Sequence, residues 1–303
     1  MKGKVIAVVG PTAVGKTALS VALAKEFGGQ IISCDSMQVY RGMDIGTAKV
    51  TVDEAQGVPH HMIDVVSPCD NFSCAVYADM AKAKTDELLS GGVLPIFCGG
   101  TGQYLAAGLT DNTFSAAGID EGLRARLNER EKEDLWDELS LIDPEAAAAT
   151  HMNNKKRVVR ALETYYLTGV TKTEWDARSR LGERPYDALV IGLTVSDRES
   201  LYRRIERRVD LMMEKGLEAE VRSLCIPHGT TAAEGIGYKE MIAYIEGRCS
   251  LCEAVEEIKR NSKRYAKRQL TWFRGKDYVR FIDVDAEDVT GTARRMCEEF
   301  LKG

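Results

Sequence analysis

Residues Gly10-Pro11-Thr12-Ala13-Val14-Gly15-Lys16-Thr17 constrain this chain more than any other stretch. They follow the apolar run Val5–Val9 and lead into a helical pattern, so the order is strand, loop, helix. The spacing G-x-x-x-x-G-K-[ST] is that of a phosphate-binding loop. The glycines let the backbone turn with its N–H groups facing an anion, and the positive end of the following helix adds to the attraction. Lys16 supplies a mobile cation, and the Thr17 hydroxyl can hold a magnesium ion. A ligand with a di- or triphosphate is expected here, in an α/β fold whose core is a parallel sheet.

The rest of the chain fits such a fold. At 303 residues it can form one large domain or two modest ones, and its 44% hydrophobic and 29% charged content is ordinary for a globular enzyme. The net charge of −5 argues against indiscriminate nucleic-acid binding. No apolar run approaches a membrane span of roughly 18 residues, and the early first strand leaves no room for a leader. A cytoplasmic protein is expected. The eight cysteines are scattered and read as free thiols. Cys249-x-x-Cys252 lacks the second ligand pair of a structural zinc site.

In chain order, Leu19, Ala22, Leu23 and Phe27 mark a helix that Gly28-Gly29 stops, and Ile31–Cys34 is a second strand. Asp35-Ser36-Met37-Gln38 follows it, at the carboxyl end where open parallel sheets bind ligands. Arg41–Lys49 and Val58–His61 read as loops, Met62–Val66 as a strand, and Ser73–Ser90 as a helix. Val93–Cys98 is a buried strand. It ends in Gly99-Gly100-Thr101-Gly102, a second glycine-rich turn, where phosphate-loop ATPases usually carry an acidic residue. Residues 111–118 look like a linker, and the pattern then becomes helical until a strand returns at Ala188–Val195. The spacing predicts a phosphate-loop core of residues 1–112 and 185–303, with an all-helical insertion at 113–184.

Three cationic stretches stand out. Lys155, Lys156, Arg157 and Arg160 open a helix, where cations oppose the dipole, which suggests an external anion. Arg204 and Arg208 share a face of the helix Leu201–Glu214. From Lys259 to Lys276 there are eight basic residues and no acidic one, interleaved with Tyr265, Trp272 and Phe273. Such a stripe in an acidic protein reads as a phosphodiester track.

Together these stretches closely resemble the tRNA dimethylallyltransferase family. The match is carried by Gly10–Thr17, Asp35-Ser36, Tyr40, Gly42–Lys49, Val58–His61, Gly99-Gly100-Thr101, Arg157 with Arg160–Glu163, Gly237-Tyr238, and Lys267-Arg268-Gln269 with Trp272. The resemblance implies transfer of a dimethylallyl group from dimethylallyl diphosphate to N6 of the adenosine 3′ of the anticodon, by a monomer that uses Mg2+. It implies Asp35 as general base, with Lys16, Thr17, Thr101 and an arginine, Arg204 before Arg208, meeting the leaving diphosphate. It also implies RNA contacts at Asp35–Gln38 and Thr101, at Arg124, Lys156, Arg157, Val158, Val159 and Arg160, at Gly235, Ile236, Gly237, Tyr238 and Lys239, and at Lys263, Lys267 and Arg268. Three rival readings are a prenyltransferase of free adenine nucleotide, a small-molecule kinase, and a non-catalytic RNA-binding module. The missing acidic strand end counts against the kinase, and Asp35 beside the phosphate loop counts against the module.

Overall fold

The computed structural model describes residues 2–110, 120–181, 184–285 and 288–303, without the side chains of 178–181. The expected linker at 111–118 lies outside these residues. Six parallel strands, β1 (Gly3–Val9), β2 (Gly29–Ser33), β3 (His60–His61), β4 (Leu94–Gly99), β5 (Tyr186–Thr194) and β6 (Val279–Asp283), are ordered β3-β2-β4-β1-β5-β6. β1 lies inside the sheet, and Val5 to Val9 are fully buried. A continuous apolar run is what a strand covered on both faces requires. The register sets Val9 opposite Gly99 on one side and Gly192 on the other. The ends of β1 and β4 therefore meet, each followed by a glycine turn.

The helices are α1 (Lys16–Phe27), α2 (Val52–Ala55), α3 (Cys74–Ser90), α4 (Gly102–Leu109), α5 (Glu121–Glu129), α6 (Lys132–Ile142), α7 (Pro144–Ala148), α8 (Lys155–Thr168), α9 (Lys172–Leu181), α10 (Arg198–Glu214), α11 (Leu217–Leu224), α12 (Tyr238–Ile245), α13 (Leu251–Arg274) and α14 (Val289–Lys302). They fall into two compact units. One comprises Met1–Leu109 and Pro185–Gly303, the other Thr110–Arg184.

In the sheet unit, Leu19 and Leu23 of α1 join Ile6, Val8, Ile31 and Ile96 in one core. Gly28, at φ 63°, ends α1 by donating its N–H to Ala24 O. The expected strand at Met62–Val66 does not form. Met62 and Asp64 have φ of 62° and 56°, which breaks an extended run. His60-His61 instead pairs with Ile31-Ile32 of β2, and Val66 makes an isolated bridge to Tyr40. β6 and α14 complete the edge of the sheet, and neither is among the expected elements.

The helical unit is built from α5 to α9 around Leu127, Leu135, Leu139, Val158, Val159 and Leu162. Asp143 accepts from Ala146 N at the start of α7 and from Thr173 N and Oγ1 at the start of α9. One buried carboxylate thereby caps two helices. Lys155 donates to Asn128 O and Arg130 O at the carboxyl end of α5. There a cation complements the dipole of the neighbouring helix.

Candidate active site

The loop between β1 and α1 turns through Gly10 at φ 148°, Ala13 at φ 63° and Gly15 at φ 95°. Glycine is required at position 10 for space as well, since a Cβ there would lie 2.6 Å from Leu193 O. Lys16 Nζ folds back onto Pro11 O at 2.7 Å. Its ammonium thus caps the loop from within, where an incoming phosphate would compete for it.

Lys16 and Thr17 open onto a cavity of about 340 Å³. The cavity carries four cations (Lys16, Arg208, Lys239 and Arg268) against two carboxylates (Asp35 and Glu234). That excess suits an anion. The α10 side is mostly apolar, with Ile205, Val209 and Met212, and Ile258 of α13 continues it. The cavity therefore offers both charge for an anion and apolar wall for a small hydrocarbon.

Asp35 lies just beyond β2, with its carboxylate facing this cavity. Its Oδ1 accepts the Met37 N–H at 2.9 Å, which fixes the side chain by a local turn. Among the described residues no other group donates to it. Thr101 stands behind Ser36: its Oγ1 accepts the Ser36 N–H at 3.1 Å. Burial pushes the Tyr265 hydroxyl up to about 12, and the negative charge of Asp35 adds to the shift, so it stays neutral.

Of the two candidate arginines on α10, Arg208 lines the cavity and Arg204 does not. The α10 residues facing the ligand space are 205, 208, 209 and 212, a stripe that excludes 204. Arg204 instead donates to Asp285 at 2.9 Å, beyond β6, with 40% of its side chain exposed. Burial lowers the pKa of the Arg208 guanidinium, and the charge of Asp35 opposes the shift. Burial likewise lowers that of Lys16, with Arg208 acting in the same direction and Asp35 against it.

The loop Gly42–Lys49 supplies another wall through Gly46, Thr47 and Ala48. It is held at both ends. The Glu220 carboxylate accepts the N–H groups of Asp44, Ile45 and Gly46 at 3.0, 2.7 and 3.1 Å. Lys49 Nζ donates to Tyr40 O and to the carboxylates of Asp44 and Asp64. Gln38 braces the same loop, accepting from Ser33 Oγ and donating to Thr47 O and Ala48 O. Its side chain is thereby engaged within the protein although it lines the cavity.

The comparisons with known proteins converge on this arrangement. Residues 38–276 match the family described as IPP transferase, and residues 3–68 match isopentenyl transferase. A tRNA dimethylallyltransferase of Geobacillus thermodenitrificans is 49% identical, with 94% of this chain and 91% of that protein covered. The chain belongs to the tRNA dimethylallyltransferase family. Among solved structures, the full-length tRNA isopentenylpyrophosphate transferase of Bacillus halodurans is 45% identical over 99% of both chains, with a TM-score of 0.74. A eukaryotic dimethylallyltransferase acting on tRNA is 28% identical, with a TM-score of 0.83 over 99% of this chain and 80% of its own. The parallel-sheet fold is thus that of the solved structures of this transferase family.

Within this family member the remaining expected contacts separate. Ser36, Met37, Gly235, Ile236, Lys239 and Arg268 line the cavity. Tyr238 does not face it: the ring is fully buried and the hydroxyl donates to Glu220. Val158 and Val159, also expected as RNA contacts, have side chains buried in the core of the helical unit. Their neighbours Lys156 and Arg157 are exposed. Arg124 and Arg160 both pair at 2.7 Å with Oε2 of the fully buried Glu163, and keep 37% and 46% of their side chains exposed.

The basic stripe on α13 is interrupted. Lys259 pairs with Asp210, and Lys263 pairs with Glu206 beneath the Tyr202 ring, both acids coming from α10. Lys263 is therefore partly neutralised, whereas Arg264, Lys267 and Arg268 remain exposed.

Among the described residues no cluster of three or more His, Cys, Asp or Glu could hold a metal. The Thr17 hydroxyl does line the cavity beside Lys16. One hydroxyl with substrate phosphates and water is a donor set that suits magnesium, which keeps most of its waters.

Proposed function

We propose that this family member transfers the dimethylallyl group of dimethylallyl diphosphate to N6 of the adenosine adjacent to the anticodon on its 3′ side. The observation that carries the reading is one cavity lined both by Lys16, Arg208 and Asp35 and by the apolar side chains of Ile205, Val209 and Met212.

The chemistry follows from those groups. The N6 lone pair is delocalised into the adenine ring and is a weak nucleophile. As it attacks C1 of the dimethylallyl group, the C1–O bond breaks and the diphosphate departs with the electron pair. Asp35, the cavity carboxylate that follows β2, takes the N6 proton. Phosphate-loop amides, Lys16 and Arg208 meet the departing charge, and such preorganised donors act most strongly out of water. Thr101 holds Ser36 and so fixes the turn that carries Asp35. Magnesium carried in on the diphosphate would take the Thr17 hydroxyl and neutralise part of the leaving charge. The apolar wall shelters the allylic carbons as positive charge develops on them.

The adenosine must leave its stack to reach Asp35, at a cost of about a few kcal/mol. Arg264, Lys267 and Arg268 on α13 would grip the RNA backbone beside the cavity. The helical unit presents a second set in Arg124, Lys156, Arg157 and Arg160. A tRNA substrate agrees with a cytoplasmic site, and no helix among the described residues is long and apolar enough to cross a membrane.

The test is acceptor choice with labelled dimethylallyl diphosphate. Unmodified tRNA should be labelled and AMP should not. Preferential labelling of AMP would replace this reading with that of a free-nucleotide prenyltransferase.

A further inference from the structure

Gln269 follows Arg268 on α13, yet it faces the protein and is only 5% exposed. Its Oε1 accepts the Thr12 N–H at 2.9 Å, and its Nε2 donates to Gly100 O at 3.1 Å. One side-chain amide thus joins the phosphate loop after β1 to the glycine turn after β4. A neutral carboxamide is the group that offers a donor and an acceptor side by side for this purpose. The fit is close. A Cβ on Gly100 would lie 2.0 Å from Gln269 Nε2, and one on Gly102 would lie 1.9 Å from Trp272 Nε1. The turn is glycine-rich because α13 rests directly on it.

The same stretch of α13 faces the ligand space. Tyr265, Arg268 and Gln269 itself line the cavity. Arg264, Lys267 and Arg268 form the exposed cationic edge. A helix gripped by RNA on that edge is therefore tied, through Gln269, to the loop that receives diphosphate.

We propose that Gln269 is a positioning residue that sets the phosphate loop against the Gly100 turn and couples RNA bound on α13 to diphosphate binding. The proposal rests on the transferase reading above. Thr12 N–H, held by Gln269, is withdrawn from the ligand, and this fixes the direction in which the other amides of the loop point. Gln269 itself lines the cavity, and loss of its clasp removes no charged group there but lets the phosphate loop and the Gly100 turn separate. Misplacement of that kind is costly, since a shift of about 1 Å from a distant change can lower a rate about 100-fold.

The test uses the full chain with Gln269→Leu, which keeps the bulk and loses both bonds, and Gly100→Ala, which drives Nε2 away and leaves Gln269 in the sequence. Melting temperature, KM for each substrate, kcat, and the Kd of inorganic diphosphate with and without an anticodon stem-loop RNA are measured. In the wild type the RNA should tighten diphosphate binding several-fold. Both variants should raise the KM for dimethylallyl diphosphate and lower kcat, on the order of 10- to 100-fold combined. The Kd for RNA alone should hold within about twofold, because the groups that meet its phosphates are untouched. The tightening by RNA should vanish in both variants. Diphosphate tightening that survives in the folded variants, or a wild type that shows none, would overturn the coupling role. A wild type that transfers no dimethylallyl group to tRNA at all would instead defeat the transferase reading on which the proposal rests.

Discussion

The Tyr238 hydroxyl donates to Glu220 Oε1 at 2.6 Å, and the same carboxylate holds the amides of Asp44, Ile45 and Gly46. Two cavity walls, the Gly46–Ala48 loop and the Gly235–Lys239 segment, thus share one anchor on α11. The packing there is tight: a Cβ on Gly46 would lie 2.5 Å from the Tyr238 ring. Because Arg208 donates to Thr47 O in that loop, the anchor also bears on that arginine.

Glu220→Ala should therefore destabilise the chain by about 1–3 kcal/mol, the usual cost of leaving donors unpaired, and raise the KM for dimethylallyl diphosphate. Tyr238→Phe removes one donor of four and should cost about 0.5–1.5 kcal/mol. Urea unfolding of the two variants checks the order.

Arg204 and Arg208, one helical turn apart, should differ sharply in kinetics. Arg208→Ala should lose about 2–4 kcal/mol of transition-state stabilisation, read from kcat/KM. Arg204→Ala breaks an exposed pair and should lose no more than about 1 kcal/mol. Equal losses would show that Arg208 has no special part in meeting the diphosphate.

The pH dependence of diphosphate binding follows from Lys16. Burial holds its ammonium below the usual 10.5, so the charge is lost at a lower pH than in free lysine. Diphosphate affinity should be level below the native pKa and fall as pH rises through it, before 10.5 is reached. Lys16→Met should abolish that alkaline limb. The sign for stability is opposite. Between the native pKa and 10.5 the unfolded chain holds a proton the native chain has shed, so this group's contribution to stability rises with pH.

Salt should weaken RNA binding through the exposed residues of α13. Arg264→Glu with Lys267→Glu should flatten the slope of log K against log salt. The change should be about 0.7 for each single-strand phosphate no longer neutralised, or about 0.9 along duplex. The KM for tRNA should rise and kcat should hold, because these groups do no chemistry. Lys263→Ala should change the slope less, since Lys263 already pairs with Glu206. Filter binding at four salt concentrations decides it.

What was legible in the sequence was local. The phosphate loop, the strand before it and the placement of Asp35 at a strand end follow from residues near one another in the chain. The family resemblance extended this to activity. What was hidden depended on distant partners. The choice between Arg204 and Arg208 turned on Asp285, and the division of the basic stripe turned on Glu206 and Asp210 of another helix. Glu220 and Gln269 bind backbone amides or carbonyls, which leave no mark in a residue pattern. Other features could have been read from the pattern. Val158, Val159, Ala161 and Leu162 have the spacing of a buried helix face, and Val279 to Ile282 is a short apolar-ended strand.

The central claim is that Asp35 takes the N6 proton in a cavity where diphosphate is already held. It is tested most directly by single-turnover transfer from labelled dimethylallyl diphosphate to an anticodon stem-loop, comparing wild type with Asp35→Asn. The substitution keeps the size of the side chain and its acceptor for Met37 N–H, but removes the base. The account predicts N6-dimethylallyladenosine at the position 3′ of the anticodon in the wild type. In Asp35→Asn the rate should fall about 10²–10⁴-fold, with the Kd of each substrate within a few-fold of the parent. A near-normal single-turnover rate in Asp35→Asn, or a label on any other atom of the RNA, would contradict it.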